Sequence, residues 1–301
     1  MESFFTNHLL FSEETVNILH LSIGTWFDYL MTAITSLGNE AFYVAAMPII
    51  YWCYDRNLAL KITIIFLVSS TVNELLKIGF DNGRPQSDLL SPEIKDLASA
   101  YKSHTPGFPS GHTQGAVTFW GFLIYSLKNR KITFFFATII LAISYSRIYL
   151  GVHFFGDVIG GFVFGIIILF MFIILINQWM KFSLASQKKL LIIISLTIPL
   201  IIASIFKSPV TVYSMGALSG FYIGALITRD LDLFNTKNRL HFQLIKIIIG
   251  IGGIFAIRII LKKVLPDYWG SHFIRYWIIG FWISYIYPVI MSRISLLRGQ
   301  P

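Results

Sequence analysis

Long apolar runs dominate this chain and limit the folds that it can adopt. Nine runs of helix length fall at 40–54, 57–79, 112–127, 132–149, 153–177, 189–206, 209–228, 241–262 and 270–292. Crossing a bilayer takes about 20 apolar residues, so the shorter runs need flanking turns. The chain is 55% hydrophobic and only 13% charged, whereas soluble domains carry about 25% charged residues. The sequence therefore predicts an all-α, polytopic membrane helix bundle.

The segment before these runs is less apolar. Between 14 and 37, Trp26 and Phe27 alternate with Asp28 and several hydroxyl residues. This pattern predicts a helix that lies in the membrane interface, and a tenth span is the alternative. No basic cluster precedes an apolar run near the N-terminus, so we expect no cleavable signal peptide.

The basic residues indicate topology rather than a polyanionic partner. The net charge is +9 over 301 residues, but the basic side chains lie scattered in short loops, which argues against a nucleic-acid-binding surface. The sole cysteine, Cys53, excludes an internal disulfide and a cysteine-based metal cluster. Lys and Arg of short loops stay on the cytoplasmic side. The residues that mark this side are Arg56, Lys128, Arg130, Lys131, Lys181, Lys188, Lys189, Arg229, Lys237, Arg239, Arg293 and Arg298.

On the opposite face lies the long polar loop 80–111, in which 93–102 is predicted to form a short surface helix. Lys207, Lys262 and Lys263 also fall on this outer face, against the general bias. Small residues at four-residue spacing predict close helix packing in two places. These residues are Gly156, Gly160, Gly161 and Gly165, and then Gly216, Gly220 and Gly224.

Three polar motifs interrupt the apolar pattern at helix ends on the predicted outer face. They are Lys77-x6-Arg84-Pro85, Pro109-Ser110-Gly111-His112 and Ser146-Arg147-x5-His153-x3-Asp157. Ionisable groups at such places are costly and are functional candidates for that reason. An even number of predicted spans separates the motifs, so they share one face whatever the absolute orientation.

The residue types in these motifs suit phosphoryl transfer. Lys77, Arg84 and Arg147 can neutralise phosphate oxygens, and arginine matches them with two parallel hydrogen bonds. Ser110 and Gly111 open an apolar helix, whose free N–H groups form an anion cradle. His112 follows at its rim, where an imidazole can protonate a leaving oxygen.

His153 and Asp157 are four residues apart, a spacing that places both on one face if a helix begins near His153. The carboxylate would then fix the imidazole tautomer and leave the second nitrogen free as a nucleophile. A buried structural His–Asp pair is the alternative reading of these two residues taken alone.

In order and spacing, the three motifs resemble those of the type 2 phosphatidic acid phosphatase superfamily, and the resemblance covers about 40–177. It implies that His153 attacks phosphorus to form a phosphohistidine while Asp157 orients it, and that His112 is the general acid. Lys77, Arg84, Ser110, Gly111 and Arg147 would hold the phosphoryl oxygens, with no metal or cofactor required. The implied segments are an N-terminal helix (1–38), a catalytic core (39–180) and additional C-terminal transmembrane helices (181–301).

The resemblance also sets the expected substrates and location. A lipid phosphate or diphosphate is the leading substrate, such as phosphatidate, phosphatidylglycerol phosphate or undecaprenyl diphosphate. The bilayer is the expected partner, and the expected location is a bacterial cytoplasmic membrane with the site outside. A soluble phosphate ester is the alternative substrate. A lipid transporter or non-catalytic binding protein also stays open, since Arg258 and Arg275 on late helices offer a second polar path. The sequence leaves the oligomeric state open.

Overall fold

Among the described residues, all regular secondary structure is helical, and turns and loops join the helices. The computed structural model describes residues 5–293 apart from 22, 102, 104, 180–186, 230, 232–235 and 237. The helices are α1 (Glu13–Leu19), α2 (Thr25–Ser36), α3 (Glu40–Cys53), α4 (Arg56–Phe80), α5 (Pro92–Ala100), α6 (Gly111–Leu127), α7 (Arg130–Tyr149), α8 (Phe155–Trp179), α9 (Lys188–Phe206), α10 (Pro209–Thr228), α11 (Leu240–Val264), α12 (Trp269–Phe281) and α13 (Tyr287–Ser292). A 3₁₀ turn at Ser87–Leu89 precedes α5, and a π-helical turn at Trp282–Ile286 joins α12 to α13.

Fewer helices pass a simple spanning test than the nine predicted. Among the described residues, seven are long and apolar enough to cross a membrane. They are α4, α7, α8, α9, α10, α11 and the continuous α12–α13 segment. The predicted run at 112–127 forms α6, which is 17 residues long. The run at 40–54 forms α3, which meets the length and hydropathy test only together with α2, as a bent pair. Counting this pair as one span raises the number of candidate spans to eight.

Two compact units divide the chain. Unit 1 comprises 1–43 and 72–176, and unit 2 comprises 44–71 and 177–301. The unit boundaries fall within α3, within α4 and near the end of α8, so each of these helices contributes to both units. The segments 1–38, 39–180 and 181–301 follow sequence order and stay a prediction.

The packing of α6 against α8 places the second and third motifs in unit 1. Ser110 caps α6, because its hydroxyl accepts a hydrogen bond from the Thr113 N–H at 3.5 Å. Gly160 lies against the ring of Phe108, and Gly161 against the Ser110 carbonyl and the Thr113 side chain. A β-carbon on Gly161 would lie 2.8 Å from that carbonyl oxygen. The small residues therefore serve helix packing in unit 1, as predicted.

The N-terminal segment differs from the single interfacial helix predicted for 14–37. It forms two helices, α1 and α2, with a break between them. Ser12 caps α1, and Val16 is buried with Ile94 of α5. In α2, the Asp28 carboxylate accepts a hydrogen bond of 2.6 Å from the Tyr149 hydroxyl of α7. The acidic residue that weakened the apolar pattern is thus paired within unit 1.

Glycines also bring helices together in unit 2. Gly216 of α10 lies against the Phe273 carbonyl of α12, and Gly220 lies against the Trp277 carbonyl. An aromatic cluster includes Trp52, whose indole N–H donates to the Ile283 carbonyl at 2.8 Å. The predicted helix packing is confirmed here as well.

The cations considered for a second polar path have different environments. Arg275 is 6% exposed and donates to His272 Nδ1 at 3.2 Å, while His272 Nε2 lies 3.0 Å from Asp267. Arg258 is exposed. The basic residues Lys181, Lys237 and Arg298, used above to predict topology, lie outside the described residues.

Candidate active site

The His153–Asp157 pair predicted from spacing is present at the start of α8. The Nδ1 atom of His153 lies 3.0 Å from Asp157 Oδ2, and the two residues are 1% and 0% exposed. The reason assumed from sequence is wrong, because α8 begins at Phe155 and His153 precedes it. Asp157 instead turns back over the first turn, where Oδ2 also accepts the Phe154 N–H at 3.0 Å. The pair is therefore built on a helix cap rather than on a helix face.

Arg84 contacts the other nitrogen of the same imidazole. Its Nη1 lies 3.1 Å from His153 Nε2 and donates to the Val152 carbonyl at 2.8 Å. A guanidinium only donates hydrogen bonds, so Nε2 must accept with its lone pair. His153 then carries its proton on Nδ1 and donates it to Asp157. This tautomer places the free lone pair on Nε2, on the side of Arg84.

The surroundings of His153 keep its imidazole neutral. Burial lowers the pKa of His153 well below its ordinary value, and the charges of Arg84, Arg147 and Lys77 lower it further. His112 acts on this pKa in the same direction. These charges lie near enough to His153 to act on its imidazole, while their joint role toward a phosphate stays a prediction.

The 80–111 loop holds two of the cations through backbone carbonyls. Arg84 Nε donates to the Thr105 carbonyl at 2.8 Å, and Nη2 donates to the Thr105 hydroxyl at 3.3 Å. Lys77 Nζ donates to the Pro106 carbonyl at 2.8 Å. Neutral carbonyls orient these side chains without neutralising them, so both retain positive charge for an anion.

The start of α6 is joined to the first turn of α8, next to His153, by a backbone hydrogen bond. The Ser110 N–H donates to the Asp157 carbonyl at 2.9 Å, while the Ser110 hydroxyl accepts from Thr113 and is fully buried. A β-carbon on Gly111 would lie 3.0 Å from Asn73 Oδ1. The Asn73 amide donates to the Pro109 carbonyl at 3.2 Å. Ser110 thus serves as a helix cap here, and its role toward phosphate stays a prediction.

His112 and Arg147 are both held by α2 and the turn that follows it. His112 Nε2 lies 2.8 Å from Asn39 Oδ1, so this nitrogen carries the proton that the amide oxygen accepts. Arg147 Nη1 donates to the Thr35 hydroxyl at 2.6 Å. Arg147 is 6% exposed, and its buried Nε has no partner among the described residues. Arg147 therefore keeps donor capacity for a bound anion.

Gly151 fixes the short turn between Arg147 and His153. Its φ is +65°, in the left-handed region, and a β-carbon there would lie 2.5 Å from the Ile94 side chain. Only glycine fits both the conformation and the space. The turn therefore packs closely against α5, and this contact helps to set the position of His153.

A cavity of about 540 Å³ adjoins the site in unit 1. Arg84, whose Nη1 contacts His153 Nε2, and Val152 line it. The rest of the wall comes mainly from polar residues of the 80–111 loop. Lining residues are Asp81, Asn82, Gly83, Arg84, Pro85, Gln86, Ser87, Asp88, Ala98, Ser103, Thr105, Pro106, Gly151 and Val152.

Sequence reasoning missed the polar residues that orient the motif side chains. Thr35 contacts Arg147, and Asn39 contacts His112. Asn73 contacts the start of α6, and Thr105 contacts Arg84. Asn73 lies one helical turn before Lys77, and this spacing in an apolar helix is a signal that could have been used. Thr35 and Asn39 lie in a segment with many small polar residues, where nothing in the pattern distinguishes them.

Two family models match this chain. Residues 58–181 match the PAP2 superfamily, and residues 212–300 match its phosphatase transmembrane extension. The first match contains all three motifs, and the second covers much of unit 2.

Curated relatives include phosphatases of bacteria and animals. Phosphatidylglycerophosphatase B of Bacillus subtilis is 30% identical over 48% of this chain and 73% of its own length. Sphingosine-1-phosphate phosphatase 2 of Homo sapiens is 28% identical over 45% of this chain and 34% of its own length. Sphingosine-1-phosphate phosphatase 1 of Mus musculus is 24% identical over 89% of this chain and 72% of its own length.

Solved structures with a similar fold were also found. A PAP2-type phosphatidylglycerolphosphate phosphatase from Bacillus subtilis superposes with a TM-score of 0.47 at 24% identity, covering 59% of this chain and 90% of that one. Aquifex aeolicus LpxE gives a TM-score of 0.46 at 24% identity, covering 53% and 93%.

Proposed function

Because the chain belongs to the PAP2 superfamily of phosphatases, we propose that it hydrolyses a lipid phosphate through a phosphohistidine on His153. The observation that carries the proposal is the line of contacts from Asp157 through His153 to Arg84. This line leaves the Nε2 lone pair of a neutral imidazole beside a phosphate-binding cation. Such an arrangement fits a nucleophile better than a structural pair.

In the first step, Nε2 of His153 attacks phosphorus and the bond to the leaving oxygen breaks. As Nε2 gains positive character, the Asp157 carboxylate stabilises the proton on Nδ1. His112 acts in its imidazolium form: while Nε2 keeps the proton shared with Asn39, Nδ1 donates its proton to the leaving oxygen, which leaves a neutral imidazole. In the second step, water attacks the phosphohistidine while His112 takes back a proton, and inorganic phosphate leaves.

The cations hold the phosphoryl group while charge redistributes. Arg84, Arg147 and Lys77 come from separate segments, and the charge of each acts on His153. Donors fixed before the substrate arrives stabilise developing charge without reorganisation. The phosphate must draw the Arg84 guanidinium away from Nε2 before attack, since a lone pair that accepts a hydrogen bond is not free.

Lipid substrates fit a site carried at the ends of membrane helices, because a head group can reach it while its acyl chains stay in the bilayer. Phosphatidate, phosphatidylglycerol phosphate and undecaprenyl diphosphate are members of the proposed class. A soluble phosphate ester is the second candidate, since the polar cavity beside Arg84 can also hold a small hydrophilic ester. A transporter or binding protein would not need the His153–Asp157 geometry.

Phosphate release from a substrate panel tests this function. Purified protein in detergent and in vesicles should release phosphate from lipid monoesters or diphosphates faster than from soluble sugar phosphates. The rate should persist in a metal chelator, because histidine rather than a metal-bound water is the proposed nucleophile. Release that requires an added divalent ion would contradict the mechanism, and binding without release would favour the transporter or binding protein.

We also propose that the site faces the outside of a bacterial cytoplasmic membrane. In a Cys53→Ala background, Ser103→Cys should react with an impermeant thiol reagent on intact cells. Asn129→Cys should react only after permeabilisation, because the Lys128–Lys131 turn is retained inside. Asn129 caps α7, so this variant loses about 1 kcal/mol of stability, and its folding is checked by activity. The reverse labelling pattern would place the site in the cytosol.

A further inference from the structure

The segment ahead of α2, residues 5–21, belongs to unit 1 but lies outside both family matches. It is joined by hydrogen bonds to two segments that carry motif residues. The Leu10 carbonyl accepts the Gly156 N–H at 2.7 Å, at the start of α8. The Glu13 carboxylate accepts the Gln86 N–H at 3.0 Å, in the 80–111 loop. This N-terminal segment therefore connects the loop that carries Arg84 to the helix that carries Asp157.

The backbone around Arg84 is held at two points, one before it and one after it. Two residues before Arg84, the Asn82 carbonyl accepts the Gly107 N–H at 2.8 Å. The residue after Arg84 is a proline, which has no N–H. The N–H of Gln86 is therefore the first backbone donor that follows Arg84, and it is the one that Glu13 accepts. A carboxylate is a stronger acceptor for such a donor than a neutral oxygen.

The helix α1 presents Glu13 to the loop from a fixed position. Val16 is fully buried among apolar residues that include Leu90 of the loop. The Asn17 side-chain oxygen accepts the Ser91 N–H at 2.9 Å. Residues three and four apart share one face of a helix, so Glu13, Val16 and Asn17 all meet the loop together.

The position of Arg84 matters because its contacts are with neutral groups. Its guanidinium donates to the carbonyls of Thr105 and Val152, and Nη1 lies 3.1 Å from His153 Nε2. Hydrogen bonds weaken steeply as their geometry departs from the optimum. A displacement of the Arg84 backbone by about 1 Å is therefore enough to impair both the contact with His153 and the capture of a phosphate.

We propose that Glu13 is a positioning residue, which acts through the Gln86 N–H to hold Arg84 against His153. The N-terminal segment is then a working part of the phosphate site, although its sequence carries none of the three motifs. The inference rests on the proposed function and adds to it a residue that acts through the loop rather than on the substrate.

Reaction with diethyl pyrocarbonate tests the proposal without turnover. The reagent acylates a neutral imidazole at a free lone pair, so its rate at His153 reports whether Arg84 still occupies Nε2. In phosphate-free detergent, Glu13→Ala should raise this rate about fivefold, the contribution of a typical hydrogen bond, as measured by mass spectrometry of peptides. Glu13→Gln keeps an oxygen acceptor and should stay close to the wild type.

Two controls distinguish positioning from a general loosening of the fold. Glu14→Ala is the matched variant, because Glu14 is the exposed neighbour of Glu13 in α1, and its His153 rate should equal that of the wild type. His112, which is held by Asn39, should react at the same rate in every variant. A parallel rise at His112 would show a structural effect and would contradict the proposal.

A reciprocal pair at Gln86 tests the same hydrogen bond from the donor side. Gln86 has φ −83°, which is close to the range of proline, so Gln86→Pro removes the N–H with little change of the backbone. Gln86→Ala removes the same side chain but keeps the N–H. The proline variant should raise the His153 rate as Glu13→Ala does, and the alanine variant should not. This pair decides the question even if Glu13→Ala does not fold.

Turnover then separates the proposal from the function on which it rests. For a lipid monoester, kcat/KM should fall about fivefold in Glu13→Ala and stay unchanged in Glu14→Ala. A Glu13→Ala protein with the wild-type His153 rate and kcat/KM would refute the positioning role and leave the phosphatase intact. Failure of the wild type to release phosphate from any ester would overturn the proposed function, whereas the reactivity of His153 would still show whether Glu13 holds Arg84.

Discussion

Replacing His153 with alanine should abolish turnover, with a loss of at least about 10⁴-fold in kcat, the scale seen when a nucleophile is removed from a coupled site. No other described side chain presents a lone pair in contact with Arg84 and backed by a carboxylate. Phosphate release from a lipid monoester measures the loss. Rapid acid or base quenching with labelled substrate should show a base-stable, acid-labile phosphoenzyme in the wild type and none in the variant.

The matched control is His241→Ala, an exposed histidine in unit 2. Its turnover should equal that of the wild type. If His153→Ala retained wild-type rates while remaining folded, the phosphohistidine mechanism would be wrong and His153–Asp157 would be a structural pair.

The second large effect is expected at His112. His112→Ala should lower kcat by about 10²–10⁴-fold for a lipid alkyl phosphate, the usual contribution of a positioned proton donor. An alkoxide is a poor leaving group, so the proton that the His112 imidazolium donates from Nδ1, while Asn39 holds Nε2, matters most in that case. Turnover with an alkyl ester is the measurement, and an aryl phosphate with an acidic phenol gives the comparison.

With the aryl ester, the penalty should shrink, because a phenolate leaves without protonation. An equal penalty with both esters would contradict the role of general acid and would point instead to a positional role for His112. Phosphoenzyme should still form from the aryl ester in His112→Ala, which distinguishes this variant from His153→Ala.

Part of the molecule follows from sequence because its signal is local. The apolar runs gave the helical class, since bilayer crossing requires long uninterrupted hydrophobic segments. The glycine spacing in α8 and α10 indicated close packing, and the structure places neighbouring helices against both stripes. The motifs indicated phosphate chemistry because ionisable groups are rare in such a chain.

Other features depend on contacts that no local pattern encodes. The start of α8 at Phe155 is set by Asp157, whose side chain turns back to cap the helix. Helical periodicity therefore gave the correct partner for His153, although the two residues do not share a helix face. The pairing of Arg147 with Thr35 joins residues 112 apart in sequence. The break between α1 and α2 was missed because the segment mixes polar and apolar residues without a clear period.

The hydrogen bond between Arg84 and His153 has a consequence for the resting protein. In the proposed mechanism, the nucleophilic lone pair is covered by a guanidinium until an anion competes for that guanidinium. A neutral alkylating agent brings no such competitor and should meet a shielded nitrogen, whereas a phosphate uncovers the atom that then attacks it. The negative charge of the substrate would thus be what exposes Nε2 of the imidazole. Membrane lipids without a phosphate monoester would leave the hydrogen bond between Arg84 and His153 intact.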